Sequence, residues 1–266
     1  MRRGMQARSL PVFVERGELR SEERISVITP DSDERISHLL VTTKAYDVRE
    51  AVAGIAHLLD EKCVVLLLIN GLGLSEQLAA EWPNLDIYCG TTTEGAYNIG
   101  VQHICHAGRG ETRVGREGQT SPPDWFGQWA RAIDPCVWDR HIARALWSKL
   151  AINCIINPLT ALHRCRNGEL AQRSELAEQV GILCDEVATI SRAAGFADIA
   201  NTLESTVATV IAGTAGNRSS MLQDVDSGRP TEIDYITGYL LKVAAQQGIS
   251  APHNRALLER IHTRAH

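Results

Sequence analysis

Ala145-Leu146-Trp147-Ser148-Lys149-Leu150-Ala151-Ile152-Asn153-Cys154-Ile155-Ile156-Asn157-Pro158 is apolar except for a polar group recurring at every fourth position. A step of four returns to nearly the same face of an α-helix, so Lys149, Asn153 and Asn157 share one narrow stripe. The other faces carry Leu, Trp, Ala, Ile or Cys and are expected to be buried. A cation beside two amides among apolar neighbours is costly unless it meets an anion or good hydrogen-bond partners. Lysine also changes its pKa readily on desolvation, which suits it to proton transfer. The plain alternative is the wet side of an amphipathic helix. Solvated stripes usually mix Glu, Lys and Arg, however, and a Lys-Asn-Asn row suits a small oxygen-rich anion better.

Helical spacing dominates the chain after this stretch. Leu176 to Ala194 reads as one amphipathic helix stopped by Gly195, and Leu203 to Ala212 as another. Thr231 to Gln247 starts after Pro230 and stops at Gly248, and His253 to Thr263 closes the chain. Ser219-Ser220-Met221-Leu222-Gln223-Asp224 precedes Thr231-Glu232-Ile233-Asp234-Tyr235. Thr231 with Asp234 fits a helix-capping pattern, and Glu232 and Asp234 could both complement the helix dipole; spacing does not separate them.

Before the stretch, strands and helices alternate. Pro11 to Val14 and Ile25 to Thr29 read as a hairpin through Arg16-Gly17-Glu18. Then come a buried strand at Leu39 to Thr42, a helix from Asp47 to Leu59, a strand from Cys63 to Ile69, a helix from Ser75 to Glu81, and a strand from Leu85 to Cys89. Near-continuous apolar strands in this order predict a parallel sheet covered on both faces. Ile99 to Ile104 and Thr112 to Gly115 are expected to be antiparallel strands, followed by a helix from Trp125 to Ala132 and a strand at Val137-Trp138. Ligands of such sheets bind beyond the carboxyl ends of the strands. Those ends here read Thr42-Thr43-Lys44, Asn70-Gly71 and Gly90-Thr91-Thr92-Thr93, a rim that favours a nucleotide. Gly71-Leu72-Gly73-Leu74-Ser75-Glu76 mimics a dinucleotide fingerprint but has Glu76 where the third glycine belongs. It is read as a tight turn that presents Asn70.

Net charge −5 over 266 residues argues against sequence-independent nucleic-acid binding. No apolar run is read as approaching the ~20 residues of a membrane span. The basic start, Met1 to Arg8, lacks the apolar core of a secretory signal. Seven scattered cysteines without a CxxC pair or a Cys/His cluster suggest reduced, mostly buried thiols in a cytoplasmic protein and no metal site.

Together these residues resemble the ketopantoate reductase (2-dehydropantoate 2-reductase) family. The resemblance rests on Lys149 to Ala161, Asn167-Gly168-Glu169-Leu170, Ser219 to Asp224 and Thr231 to Ile236, with Val41 to Tyr46, Asn70 to Gly73 and Gly90 to Thr93 upstream. It implies NADPH-dependent reduction of 2-dehydropantoate to (R)-pantoate in pantothenate and coenzyme A synthesis. By resemblance, Lys149 is the general acid, and Lys149, Asn153, Asn157, Asn167 and Ser220 bind the keto acid. Lys44, Asn70, Ala96 and Glu232 bind the cofactor. The implied fold is an incomplete Rossmann-like α/β part over residues 1–140, then an all-α substrate-binding and catalytic domain over 141–266. A homodimer is left open.

Family members begin with a strand, a glycine-rich turn and a helix, and this sequence shows no such unit. The first strand is central in a nucleotide-binding sheet, so the strands at Leu39 and Cys63 are expected to lack a neighbour. Three explanations stand open: a start placed too far downstream, a shortened paralogue that binds keto acids or dimerises without efficient catalysis, or a second chain supplying the piece.

Overall fold

The computed structural model describes residues 8–264; the basic start read above lies outside the described residues except for its last residue. The chain divides into two compact units. The first takes residues up to Thr43, Asp47–Ile69 and Ser75–Ile142; the second takes Lys44–Tyr46, Asn70–Leu74 and the chain from Ala143 onward.

The first unit holds two sheets. A five-stranded one runs β3 (Ile36–Val41), β4 (Leu59–Leu67), β5 (Asp86–Thr92), β8 (Thr112–Gly115), β9 (Cys136–Trp138). β3, β4 and β5 are parallel, β8 is antiparallel to β5, and β9 is parallel to β8. The sheet is therefore mixed rather than wholly parallel. Cys63 to Leu67 are all buried, because β4 lies inside the sheet and is covered on both faces. Val64 and Leu66 point to the side of α3 (Phe126–Ala132), where they meet Phe126, Tyr88 and the Trp125, Trp129 and Trp138 rings. Cys63, Val65 and Leu67 face the opposite side by alternation.

The expectation that both strands lack a neighbour holds only in part. β4 has neighbours on both sides, whereas β3 is an edge among the described residues. β3 is consequently not the buried strand expected from its apolarity: Leu40 is 38% exposed. The second sheet runs β2 (Leu19–Val27), β1 (Arg8–Arg16), β7 (His103–Gly108), β6 (Gly95–Gly100). β1 and β2 form the expected hairpin, turning at Gly17 with φ +61°. Ile99 to Ile104 is not one strand but the tip of the β6–β7 hairpin, where Gln102 turns the chain at φ +57°. The helix expected from Asp47 to Leu59 is shorter: α1 covers Val48–Ile55, and Leu59 already opens β4.

The second unit is helical. α4 (Ile142–His163) continues through Pro158 and buries Trp147, Leu150, Ala151, Cys154, Ile155, Ile156, Leu159 and Leu162. At 22 residues it is long and apolar enough by composition to cross a membrane, which corrects the sequence reading. Within the fold, 67% of its most apolar window is buried, as befits the central helix of a core. α6 (Ser174–Ala193) and α7 (Ala197–Gly213) pack beside it with buried residues at helical spacing, Ile199, Leu203, Val207 and Ile211 on α7. Trp147 donates to the Ser191 hydroxyl at 2.9 Å and stacks on Phe196. α10 (Pro252–Arg264) is capped from a distance, because Glu186 accepts the His253 and Asn254 backbone N–H groups.

Candidate functional site

The second unit gathers Lys44, Asn70, Lys149, Asp224 and Glu232. Their setting starts with the glycine turn after β4. Gly71 has φ +80°, and a Cβ there would lie 2.5 Å from the Tyr235 carbonyl oxygen and 2.6 Å from Tyr235 Cβ. Leu72 N–H donates to that same carbonyl at 3.1 Å. At Gly73, φ +94°, a Cβ would meet the Tyr239 ring at 3.0 Å. Both glycines are thus required by the close approach of the 235–239 segment, which packs where a side chain at either position would stand.

That segment is a π-helical turn, Asp234–Gly238, running into α9 (Tyr239–Gln246). The helix expected from Thr231 therefore begins with a wider turn, and its N-cap is Ile233 without a side-chain cap. Such turns often mark functional sites. They also resolve what spacing left open. Asp234 is exposed and bonded by His262, whereas Glu232 is only 4% exposed.

Glu232 Oε1 accepts the Ala45 backbone N–H at 3.0 Å. Its Oε2 accepts the Asn70 amide at 3.1 Å and lies 3.5 Å from Lys44 Nζ. Lys44 Nζ donates at 2.6 Å to Asp224 Oδ2. Asp224, 2% exposed, takes the Arg229 Nε and Nη2 on its other oxygen at 3.2 and 3.1 Å. Burial works against the Lys44 charge, but its bond to Asp224 and the charges of Glu232 and Asp224 outweigh it, so its pKa is raised. Lys149 differs. Burial pushes its pKa below the usual lysine value, and the charge of Glu232 opposes this only in part.

Asn153 and Asn157 follow Lys149 at successive turns of α4, half-buried and buried respectively. Asn167 donates its amide to the Thr214 hydroxyl at 2.9 Å, and its buried Oδ1 has no partner. Of the serine pair, Ser219 is the buried N-cap of α8 (Ser220–Asp226), accepting Leu222 N–H and bonded to Thr160. Ser220 is exposed on the first turn. Ala96 belongs to the first unit, on β6 opposite His106. Asp224 and Arg229 were missed as members of the cluster. Asp224 stood in the quoted Ser219 to Asp224 stretch, but nothing in its spacing pointed to Lys44. Among the described residues, no cluster of His, Cys, Asp and Glu could hold a metal ion.

Comparison with known proteins gives the family. The family model "Ketopantoate reductase PanE/ApbA" matches residues 6–119, and its C-terminal counterpart matches residues 141–265. The 2-dehydropantoate 2-reductase of Vibrio cholerae is 38% identical over 227 residues, 85% of this chain and 76% of the relative. That of Yersinia pestis is 41% identical over 226 residues, 84% and 72% respectively. A PanE/ApbA family ketopantoate reductase from Ralstonia eutropha shares the fold at TM-score 0.85 and 22% identity, covering 96% of this chain and 84% of that one. The class is that of dinucleotide-dependent oxidoreductases. Within it, this chain belongs to the ketopantoate reductase family.

Proposed function

We propose that the chain reduces 2-dehydropantoate to (R)-pantoate with NADPH, a step of pantothenate and coenzyme A synthesis. The observation that carries this reading is Lys149: a lysine on the core helix, its pKa lowered by burial, with one buried carboxylate, Glu232, opposing the shift. Such an ammonium gives up its proton more readily than an ordinary lysine and attracts a small carboxylate while protonated.

In this reading Lys149 donates to the ketone oxygen as negative charge develops there. Asn153 and Asn157, along the same helix, align the acid by amide hydrogen bonds. The unpartnered Asn167 oxygen accepts a substrate hydroxyl, and Ser220 offers a hydroxyl at the rim. NADPH, when bound, supplies the hydride. Lys44, Asn70, Ala96 and Glu232 are the residues proposed to hold it. The polar groups of Lys44 and Asn70 suit its ribose and amide parts. The Gly71-Leu72-Gly73 turn is given over to packing, because Tyr235 and Tyr239 stand where side chains at the two glycines would lie. That packed turn favours a second reading, a keto-acid-binding protein with little turnover. A homodimer belongs to the proposal and is read by sedimentation.

Titration of NADPH fluorescence with the purified chain separates the two readings. Saturable binding below millimolar cofactor, with oxidation at 340 nm on adding 2-dehydropantoate, supports the reductase. Keto-acid binding by calorimetry without saturable NADPH binding rejects it in favour of the second.

A further inference from the structure

Lys44 lies between two buried carboxylates, and the two are not equivalent. Asp224 Oδ2 is at 2.6 Å and Glu232 Oε2 at 3.5 Å. The nearer one is itself braced: the Arg229 fork fills Asp224 Oδ1, and Arg229 N–H donates to the Asp224 carbonyl at 2.9 Å. Glu232 has the Ala45 N–H and Asn70 amide besides, and its charge is also felt by Lys149. Cations and anions therefore alternate in the order Arg229, Asp224, Lys44, Glu232, and the Glu232 charge acts in turn on Lys149.

We propose that Asp224 is a positioning residue whose carboxylate, braced by Arg229, holds the Lys44 ammonium to one side so that Glu232 remains the counter-ion of Lys149. The proposal rests on the reductase reading for its functional meaning, though not for its test. Without Asp224, the nearest anion left to Lys44 is Glu232, 3.5 Å away. The ammonium then closes on it, and a Glu232 paired with Lys44 does less for Lys149. Simple loss of one negative charge would act on Lys149 in the same direction. The two causes separate when Lys44 is absent, because only the first passes through it. Glu232 acts on Lys149, and Asp224, Glu232 and Tyr46 act on Lys44.

The chain has only four lysines, at 44, 62, 149 and 242, so the test is direct. The full chain is labelled with [ε-13C]lysine and titrated by NMR without any ligand, as wild type, Asp224→Asn, Lys44→Met and the double variant. Asp224→Asn is expected to lower the titration midpoint of Lys149 in the wild-type background and to leave it in place in the Lys44→Met background. An unmoved midpoint in the first background, or an equal movement in both, overturns the proposal. Asp224→Glu keeps the charge and moves it by one methylene, which covers the case in which Asp224→Asn does not fold. It is expected to lower the midpoint by less, again only with Lys44 present, and an unmoved midpoint overturns the proposal. With turnover established, Asp224→Asn should raise the KM for NADPH about tenfold, the scale of one charge-assisted hydrogen bond, with Asp224→Glu restoring part. The NMR result stands whether or not the chain turns over, so failure of the reductase reading and failure of this proposal are distinguishable.

Discussion

Gly71→Ala tests whether the glycine turn serves packing or a phosphate. The new Cβ would stand 2.5 Å from the Tyr235 carbonyl oxygen, 2.6 Å from Tyr235 Cβ and 2.8 Å from its carbonyl carbon. Two of these three atoms are backbone, and the carbonyl already accepts the Leu72 N–H, so no flexible side-chain end can swing away. Overpacking of this kind costs about 1–3 kcal/mol. Holding alanine at φ > 0 adds about 1–2 kcal/mol. The sum of roughly 2–5 kcal/mol corresponds to a fall of roughly 4–20 °C in the transition that carries the second unit, at about 2–4 °C per kcal/mol. Calorimetry or circular dichroism at 222 nm reads it. Gly54→Ala is the control: nothing lies within 4 Å of its added methyl in α1, and alanine should gain up to about 1 kcal/mol there. A Gly71→Ala chain that melts like wild type but loses NADPH binding would refute the packing argument and restore the turn as a phosphate cradle.

Lys149→Met should lower kcat/KM by about 10²–10³, the scale of one preorganised donor, in the 340 nm assay, and a rate near wild type would remove Lys149 as the acid. The same variant should be no less stable near neutral pH, since a half-buried ammonium is replaced by an apolar chain of similar length. Because the folded pKa of Lys149 lies below its unfolded value, the unfolded chain holds more protons between the two. Stability from this group therefore rises with pH across that window, and the rise should be missing in Lys149→Met melts taken over the same pH series. For catalysis, kcat/KM should decline as pH rises through the lowered Lys149 pKa, and Glu232→Gln should move the decline to lower pH; an unmoved profile would show that Glu232 does not act on Lys149. Burial pushes the Cys63 and Cys89 thiols up to about 11 and Cys184 to about 12, so all three should resist a disulfide reagent at pH 7.5 until denaturant is added. Rapid labelling at Cys63 or Cys184 in the native chain would contradict their burial.

The α4 stripe was legible because period and composition agree over a long window: a lone cation and two amides on an apolar helix leave few arrangements. The carboxyl rim of the sheet was legible in part: Lys44 and Asn70 meet at Glu232, whereas Gly90 to Thr92 belong to β5 itself and pair with β8. Apolarity could not say whether β3 had a second neighbour, so its exposure came only from the topology. The 99–104 run looked like one strand because the two residues at its tip, Val101 and Gln102, are not Gly, Pro or Asn, and Gln102 takes the left-handed conformation usually left to those residues. Glu232 and Asp234 have equal claims by spacing, and a π-helical turn, invisible to a 3.6-residue period, buries one and exposes the other. Asp224 was beyond reach altogether, since its partner Lys44 stands 180 residues away in sequence.

The carboxylate at the centre of the cluster faces opposing demands. A buried lysine needs an anion nearby to stay protonated near neutral pH, yet an anion bound to it alone would hold the proton too firmly for transfer. Glu232 meets both demands by being shared. One oxygen is taken by the Ala45 N–H, and the other is divided between the Asn70 amide and the Lys44 ammonium. What remains for Lys149 supports its charge without cancelling the effect of burial, and its pKa stays below the ordinary lysine value. Lys44, with Asp224 besides Glu232, is raised instead. Two lysines in one cluster are thus driven in opposite directions, Lys149 down by burial that Glu232 offsets only in part and Lys44 up because Asp224 and Glu232 outweigh burial, which suits Lys44 to a fixed charge and Lys149 to the proton transfer proposed for it.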